Sequence, residues 1–338
     1  MEAMTSIYPS HQPPAELEQI LRVEELVKKF GDFAAVDGVS FAVRPGEIFG
    51  FLGPNGAGKT TTINMLTGLA HITAGSVEVA GLLYPAGIKR AQAIIGIVPD
   101  ESNLYEDLDG FDNLSFCASL YGLRKREREA RAAELLRLFG LAEAGKKPFK
   151  AYSKGMKRKL TIAAAIIHRP AILFLDEPTT GIDVASARQI RQLLKELNRQ
   201  GTTIFLTTHY IEEAERLCHR IAFIVRGKVE RIGTLAELMG QVQEEDIVQF
   251  TLADEVQPML AALRAEFAGI GVENVENGVV RIHSSERVSL SPFMKFFERH
   301  GATVYEAKVI RPSLEDVFVQ VTGVGIQQMK SDKEGRKR

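Results

Sequence analysis

The stretch Gly53-Pro54-Asn55-Gly56-Ala57-Gly58-Lys59-Thr60 decides how the rest of the chain is interpreted. It follows an apolar run, residues 48–52, and a helical pattern opens at Gly58, so its spacing and context both match the G-x-x-x-x-G-K-[ST] phosphate-binding loop. The glycines allow backbone amides to turn towards phosphate oxygens. Lys59 supplies a charge to the β and γ phosphates, Thr60 a hydroxyl to Mg²⁺, and Thr61 completes the predicted binding set. The plain alternative is a glycine-rich turn before a helix, but this context favours nucleotide binding.

A second apolar run, residues 172–175, ends in Asp176-Glu177. Carboxylates at the end of a buried strand need a cation or a proton to compensate them. We expect Asp176 to hold Mg²⁺ and Glu177 to orient or deprotonate the attacking water. An acidic pair can also simply end a strand, and the phosphate-binding loop is what favours the catalytic interpretation. His209 follows the next predicted strand and is placed to sense the γ-phosphate, although a single histidine at such a place is often structural.

Composition indicates an ordinary globular protein of more than one domain. The 338 residues carry 42 Lys and Arg against 43 Asp and Glu, a balance that argues against a dedicated nucleic-acid binder. No window approaches the roughly 18 apolar residues of a membrane-spanning helix, and no secretory signal is expected. The two cysteines have no spacing typical of a disulfide framework or a zinc site.

The order of apolar runs predicts an α/β fold with a mainly parallel sheet, because short strands alternate with longer helical segments between residues 36 and 217. One long helical stretch is predicted at 111–139. Beyond Gly240 the pattern changes to β-α-β-β-α-β, typical of a small α+β domain. Its predicted elements are strand 247–252, helix 257–267, strands 272–275 and 279–282, helix 290–299 and strand 303–309. Ser313 is expected to cap a last helix together with Asp316.

A third motif, Tyr152-Ser153-Lys154-Gly155-Met156, stands just before another apolar helix. Ser153 and Gly155 at a helix start form a second phosphate-binding terminus, for which one chain with one nucleotide has no use. Over residues 22–240 the sequence now resembles the nucleotide-binding subunits of ABC transporters. The signature of that family is Leu-Ser-Gly-Gly-Gln, and here only the Ser and the second Gly persist.

The resemblance assigns further residues. Asp183, in Thr180-Gly181-Ile182-Asp183, matches the D-loop, and Phe30 matches the aromatic that stacks on adenine, with a core strand position as the alternative. Where the family usually has Gln after a strand, this chain has Asp100, which can reach Mg²⁺ or its waters but cannot donate a hydrogen bond. The resemblance therefore implies ATP and Mg²⁺ as cofactors, with Thr60, Asp176 and Asp100 on the metal side.

The resemblance also implies an architecture and partners. It predicts a P-loop NTPase cassette with a helical subdomain at about 100–165. The predicted divisions are a leader (1–21), the ATPase domain (22–240), an accessory α+β domain (241–322) and a basic tail (323–338).

Two copies are expected to sandwich ATP as a homodimer at the cytoplasmic face of the membrane, docked near residues 100–123 on a separately encoded six-span permease. The resemblance to export-type subunits implies export of a drug, lipid or polymer. The alternative is an ABC ATPase not coupled to transport, with a regulatory or translation-associated role.

Overall fold

The computed structural model describes residues 17–240, 246–253, 257–267, 269–275, 278–284, 288–310 and 313–325. The predicted leader up to residue 16, the link 241–245 and the tail from 326 lie outside the described residues. The strands are β1 (Leu21–Phe30), β2 (Phe33–Val43), β3 (Ile48–Leu52), β4 (Ala74–Val79), β5 (Leu82–Leu83), β6 (Ile95–Val98), β7 (Ile172–Asp176), β8 (Thr203–Thr208), β9 (Arg220–Val225), β10 (Lys228–Thr234), β11 (Asp246–Leu252), β12 (Gly271–Val275), β13 (Val279–Ser284) and β14 (Val304–Ile310). The helices are α1 (Lys59–Leu66), α2 (Ile88–Gln92), α3 (Gly110–Leu120), α4 (Lys125–Leu138), α5 (Lys154–Ala165), α6 (Val184–Arg199), α7 (Ile211–Leu217), α8 (Leu235–Gly240), α9 (Gln257–Glu266), α10 (Leu290–Arg299) and α11 (Leu314–Thr322).

A six-stranded sheet positions the functional residues, with strand order β10-β9-β3-β8-β7-β6. Neighbouring strands from β9 through β6 pair in parallel, and only β10 pairs antiparallel, with β9. Every residue of β3, β7 and β8 is buried, as a parallel sheet covered on both faces requires. The α/β class with a mainly parallel sheet is therefore confirmed, and the carboxyl ends of β3, β7 and β8 meet at one edge.

A second sheet in the same unit was not predicted. It is antiparallel with the order β2-β1-β4-β5, and the ring of Phe41 in β2 stacks 5.4 Å from Phe49 in β3. Its strands β1 and β4 alternate buried with exposed residues, which hides them from a search for continuous apolar runs. The phenylalanines of the two sheets form one core.

The predicted helix 111–139 is wrong as a single element. It is two helices, α3 and α4, and Gly122 between them has a φ of 79°, a left-handed conformation that favours glycine and ends a helix. These two helices and α5 pack around Leu114, Leu135 and Leu160, all fully buried.

The chain divides into two compact units, one running to Leu235 and resuming at Val321, the other spanning Ala236–Gln320. Within the second unit the sheet order is β12-β13-β11-β14, all antiparallel, with Phe250, Phe293 and Phe297 in its core. The elements follow the predicted β-α-β-β-α-β order. Ser313 and Asp316 form the predicted cap of α11, the Ser313 hydroxyl accepting from the Asp316 amide at 3.2 Å. Among the described residues, no helix has the length and apolar character needed to cross a membrane.

Candidate functional site: a phosphate-binding loop facing paired carboxylates

The glycine-rich loop joins the end of β3 to the start of α1, as its sequence predicted. A Cβ on Gly53 would lie 2.1 Å from the Ile224 carbonyl oxygen, and one on Gly58, whose φ is 102°, would lie 2.5 Å from the Ala35 carbonyl oxygen. Side chains are therefore excluded at both positions. The backbone wraps tightly around the point where α1 begins, and Thr60 is exposed there.

The Lys59 side chain folds back over its own loop. Its ammonium donates to the carbonyl oxygens of Gly53 at 2.8 Å and Pro54 at 3.0 Å. It also lies 3.2 Å from Glu177 Oε1, and both side chains are almost completely buried. The Lys59 ammonium is therefore surrounded by carbonyl and carboxylate oxygens instead of water. Phosphate oxygens are partners of the same kind.

Asp176 and Glu177 end β7 at the same sheet edge. Asp176 Oδ1 accepts from the Thr207 hydroxyl, and the Glu177 amide donates to the Thr207 carbonyl oxygen at 3.1 Å. Glu177 has a φ of 49°, so a residue with a side chain adopts a left-handed backbone that normally favours glycine. Its neighbours must hold it in this conformation.

His209 joins the carboxylate pair. Its Nδ1 lies 2.8 Å from Glu177 Oε2, and the Thr180 hydroxyl donates to the same oxygen at 3.0 Å. Burial alone would raise the pKa of Glu177, but the hydrogen bond to His209 and the charge of Lys59 bring it below its usual value. Glu177 Oε1 nevertheless accepts no hydrogen bond. The site thus holds an ionised carboxylate whose Oε1 faces the Lys59 ammonium without a hydrogen bond.

Sequence analysis missed Glu213, which lies in α7 behind this edge. Its side chain is almost fully buried, and its Oε1 accepts from the Thr179 hydroxyl at 2.7 Å. Burial raises the pKa of Glu213. The helical periodicity of α7 could have identified Glu213, because Glu213 lies on the buried face of this helix together with Ala214 and Leu217.

A magnesium ion fits the oxygen donors at this edge. Thr60 and Asp176 supply a hydroxyl and a buried carboxylate, and no described cluster of three His, Cys, Asp or Glu forms an all-protein metal cage. Mg²⁺ usually takes one or two protein ligands together with phosphates and water, so this donor set suits a nucleotide-bound Mg²⁺.

Asp100 lies 3.7 Å through its Oδ1 from Nη2 of Arg158, a buried residue of α5. Its carboxylate is half exposed and has a guanidinium as neighbour. The metal role of Asp100 stays a prediction.

Ser153 is the N-cap of α5, its hydroxyl accepting from the Met156 amide at 3.3 Å. Asp183 caps α6 in the same way, accepting from the Ser186 amide at 2.8 Å, and this bond lowers the pKa of Asp183. Gly155 has a packing reason to be glycine, since a Cβ there would lie 2.3 Å from Ser186 Oγ. Ser153, Gly155 and Asp183 would make their predicted nucleotide contacts from the adjoining N-termini of α5 and α6.

Tyr152 replaces the leucine of the family signature and is buried. Its hydroxyl donates to the Ala144 carbonyl oxygen at 2.7 Å and would lie 2.3 Å from a Cβ on Gly110. The larger side chain therefore fits because position 110 carries no side chain.

Phe30 is 58% exposed at the end of β1, and the Lys28 ammonium lies 5.0 Å from its ring centroid. The ring is thus accessible for stacking, and a core position is wrong for Phe30. Its adenine contact stays a prediction.

Comparisons with known proteins agree with this geometry. Residues 36–180 match the ABC transporter family model. The chain is 37% identical to the linearmycin resistance ATP-binding protein LnrL of Bacillus subtilis, over 90% of this chain and 98% of that protein. It is 36% identical to the Nod factor export ATP-binding protein I of Ralstonia nicotianae, over 90% and 94%.

A solved structure supports the same assignment. A dimeric ATP-binding cassette in a post-hydrolysis state with ADP and Pi has 28% identity and a TM-score of 0.59, over 64% of this chain and 98% of that one. A loop with the phosphate-binding pattern, a buried carboxylate beside it and relatives that match along most of their length lead to one assignment: this chain belongs to the ABC transporter family as an ATP-binding, ATP-hydrolysing subunit.

Proposed function

We propose that two copies of this chain bind two Mg-ATP between them and that closing and opening of this homodimer drives a separately encoded export permease. The observation that supports the dimer is that the two predicted phosphate-binding features of one chain do not bond each other. Within the described residues, no hydrogen bond or ion pair joins residues 153–155 to residues 53–61. The exposed N-terminus of α5 is then available to the nucleotide of a second copy.

In this proposal Lys59, the loop amides of residues 53–58 and Thr61 bind the triphosphate, with Thr60 and Asp176 holding Mg²⁺. Asp100 stands near the waters of the metal. Glu177 accepts the proton of the attacking water, and its lowered pKa, which keeps the carboxylate ionised, supports that role. In its doubly protonated form His209 donates through Nδ1 to Glu177 and through Nε2 to the γ-phosphate.

Export is proposed on the relatives, of which one is named for Nod factor export and another for linearmycin resistance. A drug, lipid or polymer is the proposed cargo class. The family assignment favours transport over the ATPase not coupled to transport.

The permease is proposed to dock on the helical region. Four large hydrophobic side chains are exposed there, Tyr105, Phe116, Leu120 and Tyr121. Leu120 and Tyr121 border a groove of about 1010 Å³, whose charged lining is mixed, with Arg131 paired to Glu134 at 2.9 Å. The exposed apolar side chains suit the apolar face of a helix of the permease.

Membrane recovery tests the docking. Co-expression with the permease encoded beside this chain should bring it to the membrane fraction, and Leu120→Glu should return it to the supernatant. Leu83→Glu, at an equally apolar exposed position in β5, is the matched control and should stay with the membrane. Equal recovery of the Leu120 and Leu83 variants would reject the docking face, and no recovery of the parent chain would reject the permease.

The dimer is tested with Glu177→Gln, which should bind ATP, lose turnover and elute as a dimer in Mg-ATP. Glu212→Gln removes an exposed carboxylate of the adjacent helix and should leave turnover unchanged. Normal turnover in the Glu177 variant would remove the base role, and a monomer at saturating ATP would remove the sandwich.

A further inference from the structure

Arg158 of α5 is the residue on which three separate segments converge. Its guanidinium donates to the carbonyl oxygens of Pro99 and Asp100, which follow β6, and to the Glu177 carbonyl oxygen at 3.2 Å. Only 4% of its side chain is exposed. A buried arginine that reaches three carbonyl oxygens has a fixed position.

The charge of Arg158 also faces the active-site edge. Asp100, Asp176, Glu213 and Glu177 all favour its charged form, and they oppose the lowering of the Arg158 pKa that burial causes. Arg158 thereby offsets part of the negative charge of these carboxylates. Without a cation, so many carboxylates at one edge would be unfavourable.

The contact with Glu177 matters because of the strained backbone at that residue. The Glu177 amide is held by Thr207 and its carboxylate by His209 and Thr180, while its carbonyl oxygen accepts from Arg158 and from the Thr180 amide, both at 3.2 Å. Without Arg158 the carbonyl oxygen keeps only the Thr180 amide, so rotation about the Glu177 N–Cα bond towards a negative φ is less restrained, and a negative φ costs less for a residue with a Cβ. Such a rotation would move the carboxylate away from Lys59 and His209.

We propose that Arg158 is a positioning residue for ATP hydrolysis: it fixes the catalytic conformation of Glu177 and ties it to residues 99–100, which lead into the helical region. The inference rests on the proposed base role of Glu177. It also explains why position 100 carries a carboxylate, since Asp100 adds an ion pair to Arg158.

The test compares Arg158→Met and Arg158→Lys with Lys159→Met, which removes a cation from the same helix whose ammonium donates to the surface residue Gln189 at 2.6 Å. Because no hydrogen bond or ion pair among the described residues joins Arg158 to the loop 53–60, kcat should fall at least tenfold in both Arg158 variants while the dissociation constant for ATP changes less than threefold. Lys159→Met should keep kcat within twofold.

Two further measurements separate positioning from general damage. Arg158→Lys keeps charge and most of the side-chain volume, so its melting temperature should stay close to that of the parent, although one ammonium cannot reach all three carbonyl oxygens. In the Glu177→Gln background, Arg158→Lys should still form the ATP-dependent dimer.

Several outcomes would overturn the inference. They are a kcat of Arg158→Lys within twofold of the parent, a fall in ATP affinity that matches the fall in kcat, or an equal loss in Lys159→Met. If Glu177→Gln itself turned over ATP normally, the base role would fail instead, so the two failures are distinguishable.

Discussion

Lys59 Nζ and Glu177 Oε1 lie 3.2 Å apart in a buried pair, so the cation of the phosphate-binding loop contacts the predicted catalytic base directly. The ammonium thus covers Glu177 Oε1 in this structure. We expect ATP to draw the ammonium towards its phosphates and away from the carboxylate. On this prediction Glu177 is exposed to the attacking water only when ATP is bound.

Lys59→Ala should abolish measurable ATP binding, because the β and γ phosphates lose their buried positive charge. Isothermal titration calorimetry gives the affinity directly. Lys150→Ala, which removes a lysine paired with Asp107 on the surface, should bind like the parent. Retained affinity in the Lys59 variant would contradict the phosphate role.

Phe30→Ala should weaken ATP binding about tenfold, because stacking of a base on an aromatic ring contributes roughly 1–3 kcal/mol. Phe30→Trp should retain the affinity of the parent. Phe33→Ala is the matched control, since Phe33 is 66% exposed in the neighbouring strand. Equal losses in the Phe30 and Phe33 alanine variants would show that neither ring is specific for adenine.

Gly155→Ala should destabilise the fold by about 1–3 kcal/mol, because the new Cβ would lie 2.3 Å from Ser186 Oγ and 2.7 Å from Ser186 Cβ. Ser186→Gly should restore part of that loss, whereas Ser186→Ala keeps the Cβ and should restore less. Urea denaturation of the single and double variants measures the coupling. Strictly additive effects would mean that the two helix starts do not touch.

His168 should make the stability of the protein fall in acid. Burial lowers the pKa of His168 to about 4, and the ring stacks on Tyr121 with 3.5 Å between centroids. Its neutral form is therefore the folded form. The stabilisation is complete above the ordinary pKa near 6.5 and declines as the pH falls towards 4, by up to about 3 kcal/mol. Urea denaturation of His168→Gln should show a smaller loss over this range, and an unchanged loss would contradict the assignment.

The sheet edge that carries Asp176, Glu177 and His209 was predictable because these residues stand at the ends of fully buried strands. A continuous apolar run followed by Asp176-Glu177 or by His209 indicates a covered parallel strand, and parallel strands end on one edge. The strands around Val23 and Val77 were missed for the opposite reason, since one face of their sheet is exposed and the pattern alternates.

Arg158 was not predictable from its neighbours in sequence. It stands in a basic run between Lys154 and Lys159, where exposure is the natural expectation, and its partners lie 58 or 59 residues before it and 19 after it. Its helical phase relative to Gly155 and Ile162 places it on the buried face, but phase alone does not identify the carbonyl oxygens. Only the fold brings those segments together.

The fit between Tyr152 and Gly110 limits how this molecule can be redesigned. A transplant of the common Leu-Ser-Gly-Gly-Gln pentapeptide would delete the phenol that fills the space above position 110 and would leave the Ala144 carbonyl oxygen with the Lys147 amide alone as donor. A successful graft would have to supply new bulk at the start of α3 at the same time. The signature residues can therefore be exchanged only together with the residue at position 110, against which Tyr152 packs.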